Sequence, residues 1–140
     1  MVTDASAAAT ADGFAVIHEF QGGPDDGSQS HGSLTVVGDS LVGHTYLGGA
    51  NNLGTIFRIN TDGTGLRLVH SFAGGPSDGA GPRHDSILLS GSTLFGTTAA
   101  GGARNIGTIY RLEIDGAGFR RGNPALLILA GGAAGWAAIR

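Results

Sequence analysis

Residues 18–27 read HEFQGGPDDG and residues 70–79 read HSFAGGPSDG, identical at 7 of 10 positions at a separation of 52. Outward from this stretch the duplication continues. Residues 41–55 (LVGHTYLGGANNLGT) return as residues 94–108 (LFGTTAAGGARNIGT) at a separation of 53, so one residue has entered near Ser30. GTIFRINTDGTG (residues 54–65) then matches GTIYRLEIDGAG (residues 107–118). A fixed period of about 50 residues marks a solenoid, propeller or array, in which each unit buries its apolar face only against its neighbours.

Within each unit four short runs alternate or are rich in β-branched residues, the pattern of strands rather than helices. They fall at residues 14–20, 34–37, 41–46 and 54–60, and again at 66–72, 86–89, 93–98 and 107–113. Gly-Gly-Pro, Asp-Gly and Gly-Gly-Ala separate them, supplying the turn backbones that such runs need. No apolar stripe at helical spacing precedes residue 124. Four strands per unit is the content of one propeller blade. The chain therefore reads as all-β, with two propeller-blade-like repeats of about 52 residues, each of four short antiparallel strands. An irregular or helical apolar C-terminal tail follows. The expected divisions are a disordered leader at 1–12, repeat 1 at 13–64, repeat 2 at 65–117, and the start of an aborted third repeat with the apolar tail at 118–140.

The composition bounds function as well as fold. The 140 residues include 27 glycines but 1 tryptophan, 2 tyrosines and 6 phenylalanines, which gives turns in abundance around a thin core. A net charge of −3 and the lack of any basic run argue against nucleic acid as a partner. The absence of cysteine removes disulfides, thiolate metal sites and cysteine nucleophiles together. No Gly-x-Ser-x-Gly elbow, His-Glu-x-x-His motif or lysine-bearing phosphate loop is present, and the chain has no lysine. Residues 1–12 lack the basic and apolar regions of a secretory signal.

The candidate residues are those that the repeat carries twice. His18 and His70 recur on the apolar face of their strands, and the spacing gives neither a second histidine nor a carboxylate as a local partner. The preferred reading is a packed, hydrogen-bonded histidine rather than a metal ligand or base. His31 and His84 correspond as turn residues, while His44 aligns with Thr97, so the repeat requires no imidazole there. Asp25, Asp26 and Asp78 lie in Gly-Gly-Pro-x-Asp-Gly loops and are weak calcium candidates; their spacing is not that of an EF-hand, and Asp-Gly is good turn chemistry by itself. Asp62 and Asp115 read as Asp-Gly hairpin turns.

The run at residues 94–112 (LFGTTAAGGARNIGTIYRL), together with LVHSFAGG from residue 68 and the Asp-Gly at 78–79, resembles the Gloeo-Verruco, or GloVer, tandem repeat. That family's pattern is roughly L-[YF]-G-x-T-x-x-G-G-x-x-x-x-G-T-[IV]-[FY]-x-[IL], then D-G, then L-H-x-F-x-G-G-x-x-D-G, and the likeness spans residues 13 to about 119. The resemblance implies a bacterial extracellular or surface-displayed protein with a propeller-like β structure. It carries no catalytic residue and no cofactor. Two departures stand out. About two copies are present where relatives carry many, and two blades cannot close a ring of about four to eight. After Phe119, moreover, the chain reads RRGNPALLILAGGAAGWAAIR in place of a third Leu-His-x-Phe strand.

The uncharged run at residues 125–139 would make a helix of about 22 Å, short of the roughly 30 Å hydrocarbon core, so membrane anchoring by it is not favoured. The preferred reading of this tail is a frameshift or gene fragment, because the pattern is lost abruptly in mid-repeat. A short anchoring or sorting tail and a helix packed on an open blade edge are the competing ones. These observations together lead us to expect a non-enzymatic extracellular or cell-surface repeat module, structural or ligand-binding, that belongs to a longer propeller-like protein. Its expected partners are a glycan or protein ligand, and further repeats or self-association to cover the blade edges. The rival is part of a propeller-type carbohydrate-active enzyme or lectin-like protein, with Arg58/Arg111 or His31/His84 as its polar candidates.

Overall fold

The computed structural model describes residues 13–83 and 86–114. Among these residues all regular structure is antiparallel β and no helix is present. In the first repeat β1 is Gly27–Ser28, β2 Thr35–Val37, β3 Ser40–Thr45, β4 Leu47–Gly48 and β5 Thr55–Asn60. The second repeat supplies β6 (Arg67–Ser71), β7 (Gly79–Ala80), β8 (Leu88–Ser90), β9 (Thr93–Thr98), β10 (Ala100–Gly101) and β11 (Thr108–Glu113). Two main sheets result, ordered β2-β3-β5-β6 and β8-β9-β11, with the two-stranded ladders β1-β4 and β7-β10 beside them.

The turn chemistry explains the hairpins. Gly38, at φ 59°, closes the turn from β2 to β3. Between β5 and β6, the Asn60 amide donates to the Thr64 carbonyl and the Gly63 amide to the Asn60 carbonyl. The Asp62 carboxylate accepts from the Thr64 amide at 2.9 Å and the Thr64 hydroxyl at 2.6 Å, which is the Asp-Gly turn expected from the sequence. These two bonds, the hydroxyl's foremost, hold the Asp62 carboxyl below its ordinary range. The companion turn at Asp115 lies outside the described residues, as do the tail readings for residues 118–140 and the leader at 1–12.

The strand expectations hold for seven of the eight runs and need revision for the phase of the sheets. Residues 14–20 form no strand here. Their repeat equivalent, β6, pairs with β5 of the preceding repeat, in the register Thr55↔Ser71, Ile56↔His70, Phe57↔Leu68 and Arg58↔Arg67, with a bulge between Ile56 and Phe57. The first sheet thus takes three strands from one repeat and its fourth from the next. The second sheet has three strands among the described residues, and β11 borders it.

The two main sheets meet face to face. Val42 and Ile56 of the first sheet and Val69 of β6 pack with Ile87 and Leu94 of the second, and Phe72 fills the joint at 1% exposure. The Thr35 hydroxyl also donates to the Ile87 carbonyl across this joint. Each fully buried side chain of this size contributes about 1.5–3 kcal/mol by leaving water, so these few residues carry most of the hydrophobic stabilisation in a glycine-rich chain.

Candidate functional site

Strands β3 and β6 end, and β5 begins, at the same end of the first sheet, so the loops at residues 21–26, 46–54 and 72–78 gather there. Each loop is built twice with the same bonds. The His18 Nε2 lies 3.1 Å from Asp26 Oδ2, which also accepts the Gln21 amide at 3.0 Å, while Oδ1 accepts the Gly27 amide at 2.7 Å. The His70 Nε2 lies 2.9 Å from Asp78 Oδ2, with the Ala73 amide at 2.9 Å and the Gly79 amide at 2.7 Å completing the set. Each imidazole also stands edge-on to a phenylalanine two residues on, His18 to Phe20 at 4.9 Å and His70 to Phe72 at 4.8 Å.

This arrangement corrects one reading of the sequence. The histidines do have a carboxylate at a fixed local spacing, eight residues on, because the Gly-Gly-Pro segment doubles the chain back on itself. Glycines at 22, 23, 74 and 75 all have positive φ, as that reversal requires. Burial pushes the Asp78 carboxyl up, but the His70 imidazole and the Ala73 and Gly79 amides outweigh it and hold the group below its ordinary range.

The three calcium candidates are thereby separated. Asp26 and Asp78 spend both carboxylate oxygens on N–H donors of their own loops, and Asp25 is exposed. Among the described residues no group of three or more His, Asp or Glu side chains is placed to hold a metal ion.

A second framework repeats behind the clasps. The hydroxyls of Thr45 and Thr55 pair at 2.8 Å, and those of Thr98 and Thr108 at 2.7 Å. Asn52 and Asn105, with φ 53° and 57°, each accept a glycine amide on Oδ1, from Gly48 at 2.9 Å and Gly101 at 2.8 Å. Asparagine is one of the few residues that takes this left-handed conformation, and its side chain then satisfies the turn.

Two residues at this end break the repeat. The Arg83 guanidinium sits 4.7 Å from the ring centre of Tyr46 and donates to its hydroxyl at 3.0 Å, and His31 stands edge-on to the same ring at 6.2 Å. Ala99 and Ser30 occupy the repeat-equivalent positions of Tyr46 and Arg83. Sequence reading singled out neither Tyr46 nor Arg83; the signal that marks them is departure from the period. Arg83 and His31 are exposed, while Tyr46 is half-buried with Gly81 against its ring, so the cluster presents a guanidinium and an imidazole to solvent around one aromatic ring.

The remaining candidates do not join it. Arg58 lies towards the opposite end of β5, its Nε donating to Ser40 Oγ at 3.1 Å, and Arg111 is exposed with its Nε 3.8 Å from Glu113. His44 is buried, opposite Ile56 on the inner face of the first sheet. His84 lies outside the described residues. A cavity of about 150 Å³ opens on the other face of the first sheet, lined by apolar groups that include Ile17, Leu34, Leu41, Phe57 and Ile59.

Comparison with curated proteins and with solved structures finds no match. The family model of the Gloeobacter/Verrucomicrobia repeat, however, matches residues 6–123, which hold both histidine–aspartate clasps and both threonine pairs, and the chain belongs to that family.

Proposed function

We propose that this chain is a non-enzymatic repeat module of an extracellular or cell-surface protein, serving as a scaffold that presents its loop end. One observation carries the reading: the polar residues that a catalyst would need are the ones the repeat spends twice on its own backbone. His18 and His70 are held by Asp26 and Asp78, and these carboxylates are filled by loop amides. A catalytic centre calls for one unit whose acid or base stands apart from its copies, with a perturbed environment and room for substrate. The extracellular placement draws on the family resemblance.

A second reading, a lectin-like surface, has an observation of its own in Tyr46, Arg83 and His31. A half-buried aromatic ring beside an exposed guanidinium and imidazole suits the apolar face and hydroxyl edge of a sugar. A glycan array run with and without calcium separates the two. Silence under both conditions is the result expected for a scaffold. Binding that Tyr46→Ala and Arg83→Ala both abolish would replace that reading with the lectin-like one, and turnover of any arrayed glycan would overturn the non-enzymatic claim.

A further inference from the structure

Strand β6 belongs to the second repeat by sequence, yet it completes the sheet of the first. Its equivalents 52 residues earlier, at 14–20, carry the same alternation of Phe14, Val16, His18 and Phe20. They lie in no strand, and Phe14 and Val16 are 62% and 51% exposed. The contacts that residues 14–20 do make match those of β6 with the sheet that follows it. Phe20 packs on Phe57 with ring centres 5.2 Å apart, as Phe72 packs on Tyr110 at 5.5 Å. What 14–20 lack among the described residues is a preceding sheet.

The faces tell the same story. Within the chain, the Ile87 and Leu94 face of the second sheet packs on the Val42 and Ile56 face of the first. The corresponding outer faces are left over at the two ends. Leu34 and Val36 of the first sheet, where Leu34 is the equivalent of Ile87, are 51% and 63% exposed. Leu88 and Ile109 of the second sheet, where Ile109 is the equivalent of Ile56, are 64% and 82% exposed. The internal joint is therefore a template for a joint between chains, one surface at each end and each complementary to the other.

We propose that a second copy of this chain supplies residues 14–20 as the fourth strand of the second sheet, beside β11, in the register that β6 adopts on β5. Ala15 then lies opposite Arg111, Val16 opposite Tyr110, His18 opposite Ile109 and Glu19 opposite Thr108. The donor's first sheet follows its strand onto the Leu88 and Ile109 face, covering six of the seven large apolar side chains exposed among the described residues, all but Ile106. The contact is heterologous, so it propagates head to tail and closes when the rotation permits. With two main sheets per chain, a ring of about four to eight sheets needs about two to four copies. The chain's own residues 119–125, which stand at the β6-equivalent positions, read FRRGNPA. There Asn123 replaces the clasp histidine, and Pro124 has no amide to give a ladder. This inference rests on the fold and is independent of the proposed function.

The chain has no cysteine, so introduced thiols report unambiguously. Full-length Ala15→Cys and Arg111→Cys variants, mixed and oxidised, are expected to give a disulfide-linked heterodimer as the main product. Ala15→Cys with Glu113→Cys, two residues out of register, should give several-fold less, because bridging requires close Cα approach. Wild-type chain in analytical ultracentrifugation should show a concentration-dependent assembly that Ile109→Asp reduces to monomer. Wild type sedimenting as monomer at every concentration would overturn the proposal. So would equal cross-linking in both registers, or an intrachain disulfide in the Arg111→Cys, Arg120→Cys double variant, which would put the chain's own tail beside β11.

Discussion

The histidine–aspartate clasp sets the behaviour of single residues. Asp78 is held as a carboxylate by the His70 imidazole and two loop amides, against the pull of burial. Its folded pKa is depressed, so its contribution to stability is complete above the unfolded value of about 3.9 and is lost as pH falls through the lower folded value. Asp78→Asn is therefore expected to cost about 1–2 kcal/mol at pH 7, as charge-assisted bonds to loop amides weaken, and progressively less on acidification below about pH 4. Urea unfolding midpoints of both proteins across pH 2–7 check this; a difference that stays constant with pH would contradict it. The clasp was half legible in the sequence. Two histidines recurring on an apolar face announce packed, satisfied imidazoles, but a partner eight residues on fits neither strand nor helix contact spacing. The clue lay in the comparison of copies: Asp26 matches Asp78, while its neighbour Asp25 is matched by Ser77.

Among the elements, β6 carries the most. Its backbone closes the first sheet, and the chain that leaves it drives Phe72 into the joint with the second, where it is 1% exposed against Tyr110, Leu94 and Ile87. Phe72→Ala is expected to destabilise by about 3–5 kcal/mol, the cost of a large core cavity. Phe20→Ala, at the half-buried equivalent position, should cost clearly less in the isolated chain; chemical denaturation of the two variants gives the comparison. Strand content was readable from alternation because residues such as Leu94 and Tyr110 keep period two. The phase of the sheets was not readable, since a periodic sequence looks the same wherever the unit is cut. The pairing of β5 with β6, as of Phe57 with Leu68, shows that a sheet straddles the boundary between copies. The short ladders at Gly27–Ser28 and Gly79–Ala80 were also hidden, because glycine has no strand signature; these pairings are fixed instead by close approach. A Cβ on Gly27 would fall 2.4 Å from the Thr45 side chain, and one on Gly79 2.6 Å from that of Thr98.

At the scale of the whole molecule, two ends differ in kind. One gathers the repeated loops, where Tyr46 and Arg83 interrupt the symmetry, and the other carries hairpin turns such as that at Asp62. The exposed apolar faces lie at the first and last sheets rather than at either of these ends, so an assembly of the kind proposed would leave the loop end open to solvent. The architecture was legible because the duplication itself is loud. The loop-end cluster was not, because its members owe their meaning to a contact between repeats, 37 residues apart in sequence. The sharing of β6 between sheets also bears on how the molecule melts. Neither sheet can come apart while the other stays whole: releasing β6 strips the first of a strand and the second of its Phe72 anchor. The duplicated unit is therefore not the cooperative unit. Scanning calorimetry of the monomeric Ile109→Asp chain should show one endotherm, with calorimetric and van't Hoff enthalpies in agreement, where two independent modules would give two.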